Sequence, residues 1–133
     1  LFIQRRIFAE KEDLELAATM NSIGIVAFAK EDFKIAKTFF EGSLDIRRKM
    51  LGCDHEDTET LWYNLATTNE EIGNDDDALA MYRETLRIEK QCTDGGKIDT
   101  VDTLQRLGRL YQMRGQLDEA LGYYREALSA LNT

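Results

Sequence analysis

Between Cys53 and Glu59 the chain places four carboxylates, its only histidine and one of its two cysteines, in the run Cys53-Asp54-His55-Glu56-Asp57-Thr58-Glu59. Thiolate, imidazole and carboxylate are the groups that hold transition metals and move protons, so this run has first to be weighed as chemistry. A structural zinc site takes four ligands, commonly with Cys or His in pairs, and the run offers one of each. Nucleophilic catalysis needs a base within hydrogen-bond reach of a Ser, Cys or Thr, and no spacing sets His55 in that role. Cys92 stands in an apolar row with Phe8 and Met50 and fits a small packed hydrophobe, with no base placed to activate it. Asp75-Asp76-Asp77 lacks the alternating ligands, central glycine and distant glutamate of a calcium loop. Asp94-Gly95-Gly96-Lys97 lacks the spacing of a P-loop. No catalytic, cofactor-binding or metal-binding residue is therefore expected, and the chain is not expected to be an enzyme. The charged runs fit helix ends instead. Asp54 and Asp57 precede an amphipathic segment, where unpaired backbone amides and the helix dipole favour carboxylates, and Arg47-Arg48-Lys49 close another, where cations are favoured.

Composition bounds the elements that carry these residues. A length of 133 residues suits one domain, and 43 % hydrophobic with 32 % charged residues is the balance of a folded, soluble chain. The net charge of −8 lacks the basic footprint that nucleic acid requires, so no nucleic-acid partner is expected. No apolar run is long enough to span a membrane, and Leu1-Phe2-Ile3-Gln4-Arg5-Arg6 lacks the order of a signal peptide. With two cysteines and no framework of pairs, an intracellular, cytoplasmic location is expected.

Apolar residues recur at helical spacing throughout and nowhere alternate as in a strand, which predicts an all-α fold. They also repeat. Ala36, Ala78 and Ala120 stand 42 residues apart, and so do Gly24, Ala66 and Gly108; Ile23, Leu65 and Leu107; Phe40, Tyr82 and Tyr124; Leu44, Leu86 and Leu128. Each unit reads as a helical hairpin, such as Thr60 to Ile72, the turn Gly73-Asn74, and Asp75 to Gln91. Small residues at two rows let helices approach closely, while the aromatic and leucine rows fill the space between pairs. The repeat also judges the opening run. At the matching joint Ile98-Asp99-Thr100 keeps Asp57-Thr58, but Lys97 replaces His55 and Gly95 replaces Cys53, as expected for a joint between helices.

Leu65-Ala66, Gly73, Ala78 and Tyr82, and more fully Leu107-Gly108, Tyr111, Gly115, Ala120, Tyr124 and Ala127, resemble the tetratricopeptide repeat. Trp62 falls where that family favours tryptophan. The usual repeat has about 34 residues, whereas the period of 42 and the segment LGCDHEDTETLWYNLA resemble the kinesin light chain-like subclass. The resemblance, over about residues 16–133, implies a right-handed superhelical solenoid of antiparallel helix pairs. Three pairs are expected at 17–52, 58–92 and 100–133, preceded at 1–13 by the orphan second helix of a truncated repeat, giving about seven helices and a fragment of a longer protein. Three departures mark the turns: Ala27 and Asn69 in place of Tyr111, Glu31 in place of the turn glycine, and Asp75 where Phe33 and Leu117 are apolar.

In that architecture the first helices line a concave surface. The residues expected there, on a protein or peptide partner, are Asn21 and Ser22, then Tyr63, Asn64 and Thr67, then Gln105, Arg106 and Arg109. Ile25 and Phe28, Glu70, and Gln112 continue the three stripes. The resemblance implies that Asn64 holds the main chain of an extended peptide, a task for which an amide has both donors and an acceptor. Arg106 and Arg109 are expected to form a positive patch able to anchor a carboxylate. Asn21, Asn64 and Arg106 match the polar pattern of the family's chaperone-tail clamp, but Ile25 and Asp102 replace an asparagine and a lysine, which argues against a C-terminal carboxylate clamp. A non-catalytic adaptor is thus the leading expectation. The alternative is a structural subunit docked into a larger complex through its helix ends and outer face.

Overall fold

The computed structural model describes residues 2–51, 56–91 and 100–132, with side chains over 9–50, 58–91 and 100–132. Six helices span the described residues: α1 (Phe2–Ala29), α2 (Phe33–Leu51), α3 (Glu56–Ile72), α4 (Asp75–Gln91), α5 (Val101–Met113) and α6 (Leu117–Leu131). Each packs on its predecessor and its successor, so the chain forms a solenoid of three antiparallel hairpins, α1/α2, α3/α4 and α5/α6. The expected separate helix at 1–13 is not separate. It runs on into the first helix of the first pair, because Glu10 to Leu16 contains neither glycine nor proline and every residue there tolerates a helix. The joints that hold Cys53, Asp54 and His55, and Cys92 with Asp94 to Lys97, lie outside the described residues.

The three turns within hairpins share one geometry. Asp32 N–H donates to Ala27 O at 2.9 Å, Asn74 to Asn69 O at 2.8 Å and Gln116 to Tyr111 O at 3.0 Å. This six-to-one closure requires a left-handed residue just past the helix. Gly73 and Gly115 supply it at φ 99° and 79°, and in the first turn Glu31 adopts it at φ 65°.

Among the described residues two clusters form the core. One joins Ala27, Ala36, Phe40 and Leu44 to Leu61 and Leu65; the other joins Ala66, Ala78, Leu79, Tyr82 and Leu86 to Leu104, Leu107, Leu110, Tyr111, Ala120 and Ala127. Both straddle hairpins, so no pair owns its interior. Within a pair the aromatic row lies directly on the small-residue row. A Cβ on Gly24 would stand 2.6 Å from Phe40 Cε1, and one on Gly108 would stand 2.9 Å from Tyr124 Cε1. Cations cover aromatic rings at both joints between pairs, Arg48 over Trp62 at 5.6 Å and Arg83 over Tyr111 at 5.3 Å.

Candidate peptide-binding groove

The 42-residue register sets one face of α1, α3 and α5 side by side. A depression of about 380 Å³ opens there, lined by Ile25 and Phe28 of α1, Phe40 of α2, Tyr63, Asn64, Thr67 and Glu71 of α3, and Arg106 of α5. Four of the expected site residues, Tyr63, Asn64, Thr67 and Arg106, therefore meet in one place. Arg106 also borders a second depression of about 300 Å³, shared with Asp102, Gln105, Arg109 and Tyr124. The two hollows share Arg106 along one track, and the apolar residues Ile25, Phe28 and Phe40 line only the first, beside its polar groups, whereas the second is lined by polar side chains and Tyr124.

The remaining expected residues lie apart. Asn21 is half-buried and is not among the residues that line either hollow, and its side-chain oxygen is enclosed without a hydrogen-bond partner among the described residues. Ser22 is exposed, donates to Ala18 O at 3.1 Å and lines a different cleft with Ile23, Val26 and Ile35. Successive helical positions diverge by about 100° (3.6 residues per turn), so the pair Asn21-Ser22 divides between two faces.

The expected positive patch is also corrected. Glu70, largely buried, takes Arg109 on one carboxylate oxygen and stands 3.7 Å from the Arg106 guanidinium on the other. Asp102 lies 3.4 Å from Arg106 Nε, and Tyr82 Oη donates to Glu70 at 2.8 Å while accepting from Arg106 at 3.4 Å. Both arginines are therefore committed to carboxylates of this chain, and a partner's carboxylate would have to displace them. The same network fixes Tyr63, whose hydroxyl donates to Asp102 and whose ring carries Arg106 at 5.5 Å and meets Tyr82 edge-on at 5.9 Å. Burial, then the hydrogen bond to Asp102, pushes the Tyr63 hydroxyl up to about 12, so it remains a neutral donor at physiological pH. Glu71 is a groove residue that the sequence did not point to, while Phe40 and Tyr82, expected only as packing between pairs, also reach the groove or its network.

Among the described residues no three His, Cys, Asp or Glu side chains are grouped to hold a metal ion, and no helix is long and apolar enough to cross a membrane. The groove can do what its groups allow: seat an apolar side chain against Ile25, Phe28 and Phe40, and exchange hydrogen bonds with a main chain through the Asn64 amide.

Comparison with known proteins agrees with this architecture. Tetratricopeptide repeat models match residues 15–91 and 100–131. No curated protein sequence matches the chain. Among solved structures, BtubC (BKLC) from P. vanneervenii is similar at a TM-score of 0.81 and 19% identity over 87% of this chain and 46% of that one. The TPR domain of Arabidopsis FLU is similar at 0.76 and 16% identity, over 92% of this chain and 98% of that one. A putative kinesin light chain with nearly identical TPR-like repeats from Podospora anserina gives 0.73 and 16% identity, over 91% and 57%. The chain thus spans about half the length of the first and third of these. At such identities the likeness concerns the fold, which is that of kinesin light chain-like repeats among others. With more than half of its length matched by the family's own model and every helix in the family's arrangement, the chain belongs to the tetratricopeptide repeat family, whose members are typically protein-interaction modules rather than enzymes.

Proposed function

We propose that the chain is a non-catalytic interaction module that holds an extended segment of a partner protein along the track formed by α1, α3 and α5. The observation that carries this reading is the convergence of an apolar floor, Ile25, Phe28 and Phe40, with Tyr63, Asn64, Thr67 and Arg106 in one depression of about 380 Å³. Since Arg106 and Arg109 already hold Glu70 and Asp102, affinity comes from an apolar side chain seated on the floor and from main-chain hydrogen bonds to Asn64. No anchored terminal carboxylate is needed. Gln105, which lines the second hollow, offers a further polar contact. The net charge of −8 supports a partner other than nucleic acid, and two cysteines without a framework of pairs support a role inside the cell, in the cytoplasm.

Affinity capture with the wild-type chain, Asn64→Ala and Ile25→Asp tests the reading. Both side chains reach the surface of the track, so far-UV ellipticity is expected to be unchanged while partner capture is lost. Capture that survives both substitutions would reject the groove. A structural subunit docked through its outer surfaces is the second reading, and the uncovered apolar stripe on α6 favours it.

A further inference from the structure

The first hollow of the groove is bounded by α1, α3 and α5, so its lining is set by helices within this chain. Most of its polar groups are already engaged there. Tyr63 donates to Asp102, Thr67 donates to Asn64 O at 2.9 Å, and Arg106 divides its guanidinium among Glu70, Asp102 and Tyr82. Two lining groups remain, the Asn64 side-chain amide and the Glu71 carboxylate, and neither has a hydrogen bond or ion pair among the described residues. Of these only Glu71 is charged, and it is exposed. Three carboxylates, Glu70, Glu71 and Asp102, stand about this face against the guanidiniums of Arg106 and Arg109, and the pairing leaves Glu71 over. Helix electrostatics does not account for it. The last turn of α2 carries Arg48 and Lys49 and that of α4 carries Lys90, as the dipole favours, whereas α3 ends on Glu70 and Glu71 with no cation in its last turn. Arg106 and Arg109 compensate Glu70; nothing described compensates Glu71. Nor does the repeat ask for a charge at this place, since the same row holds Ala29 and Met113.

We propose that the segment seated in the groove is basic: an extended stretch of a partner protein that sets an apolar side chain on Ile25, Phe28 and Phe40 and a Lys or Arg against Glu71. Glu71 lies two turns along α3 from Asn64, about 10 Å at 1.5 Å per residue, a distance that an extended chain covers in about three residues. The basic residue therefore stands within about three positions of the one whose main chain Asn64 holds. The net charge of −8 draws such a segment in at low ionic strength, and Arg106, already paired, does not oppose it. An acidic segment would instead face the unpaired Glu71 and have to part Arg106 from Glu70 or Asp102. This inference rests on the groove reading and adds the charge of the groove's occupant.

Selection from a phage-displayed library of random short peptides reads the outcome, with the wild-type chain and Glu71→Lys as baits. The wild-type chain is expected to enrich peptides that carry Lys or Arg within about three positions of a large apolar residue, and Glu71→Lys to enrich Asp or Glu at that place. Measured by fluorescence anisotropy, a peptide selected on the wild-type chain is expected to bind Glu71→Gln about two- to fivefold more weakly, and to bind the wild-type chain more weakly as salt is added. Because Glu71 is exposed and lies where the helix dipole disfavours a carboxylate, neither substitution is expected to lower far-UV ellipticity. Peptides that need Asn64 and Ile25 but show no basic preference, or show the same preference on Glu71→Lys, overturn the basic occupant and leave the groove standing. Peptides indifferent to Asn64→Ala and Ile25→Asp, or no enrichment at all, overturn the groove and this inference with it.

Discussion

Glu89 shows how far one side chain can depart from its surface habit. It lies on α4, 3% exposed, and its Oε2 accepts from Thr103 Oγ1 at 3.2 Å. Burial pushes its carboxyl from 4.5 up to about 8, helped by the neighbouring Glu59 carboxylate and opposed by the hydrogen bond from Thr103. The folded chain then keeps a proton that the unfolded chain releases above 4.5. Stability from this group is therefore present below 4.5 and lost as the pH climbs to about 8. Glu89→Gln keeps the Thr103 hydrogen bond and removes the titration. Thermal melts should show the substituted chain more stable than wild type above pH 8, with a flatter profile across the window from 4.5 to about 8; a lower melting temperature at every pH would count against a neutral carboxyl. Nothing in the repeat announces Glu89, because its row holds Arg47 and Leu131 and shares no residue type. Glu70 was closer to legible. Glu70–Arg109 and Tyr63–Asp102 both pair residues 39 apart, one repeat less three positions, which is one helical turn off register. Reading Arg106 and Arg109 by their own helix alone made them look free.

At the scale of elements, the spacing located α3 and α4 within a few residues, since Gly73 punctuates a strong helical period. It placed a break near residue 14 that does not form, because the repeat's phase predicts where a hairpin should turn but only a helix-breaking residue makes it turn. The first turn inverts that lesson: it forms without its glycine. Glu31 holds φ 65°, a conformation that costs an L-residue about 1–2 kcal/mol. Glu31→Gly removes that strain at the expense of a more flexible unfolded chain, and should raise stability by about 0.5–1 kcal/mol. Gly73→Ala should do the reverse by about 1 kcal/mol through conformation alone, since a Cβ there meets nothing within 4 Å. Urea unfolding checks both, and equal destabilisation by the two substitutions would mean that the turns are not equivalent.

Across the whole molecule, stability is passed from hairpin to hairpin, and the joints decide how far a defect travels. The contact of α4 with α5 is sparser than that of α2 with α3, so the third hairpin is the less firmly coupled. Leu107 stands in that joint, fully buried in the cluster that runs from Tyr82 and Leu86 to Ala120. Leu107→Ala leaves a cavity there and should cost about 2–5 kcal/mol. Because each hairpin touches only its neighbours in a solenoid, that loss falls on α5 and α6 first. The single tryptophan, Trp62 on α3, reports from the other side of the joint, packed with Phe40 and Leu65 and under Arg48. In urea the substituted chain should therefore lose helical ellipticity before Trp62 fluorescence changes, whereas the wild-type signals move together. Coincident transitions in Leu107→Ala would mean that the three hairpins fold as one indivisible unit and that stacking at α4/α5 is as strong as packing within a pair.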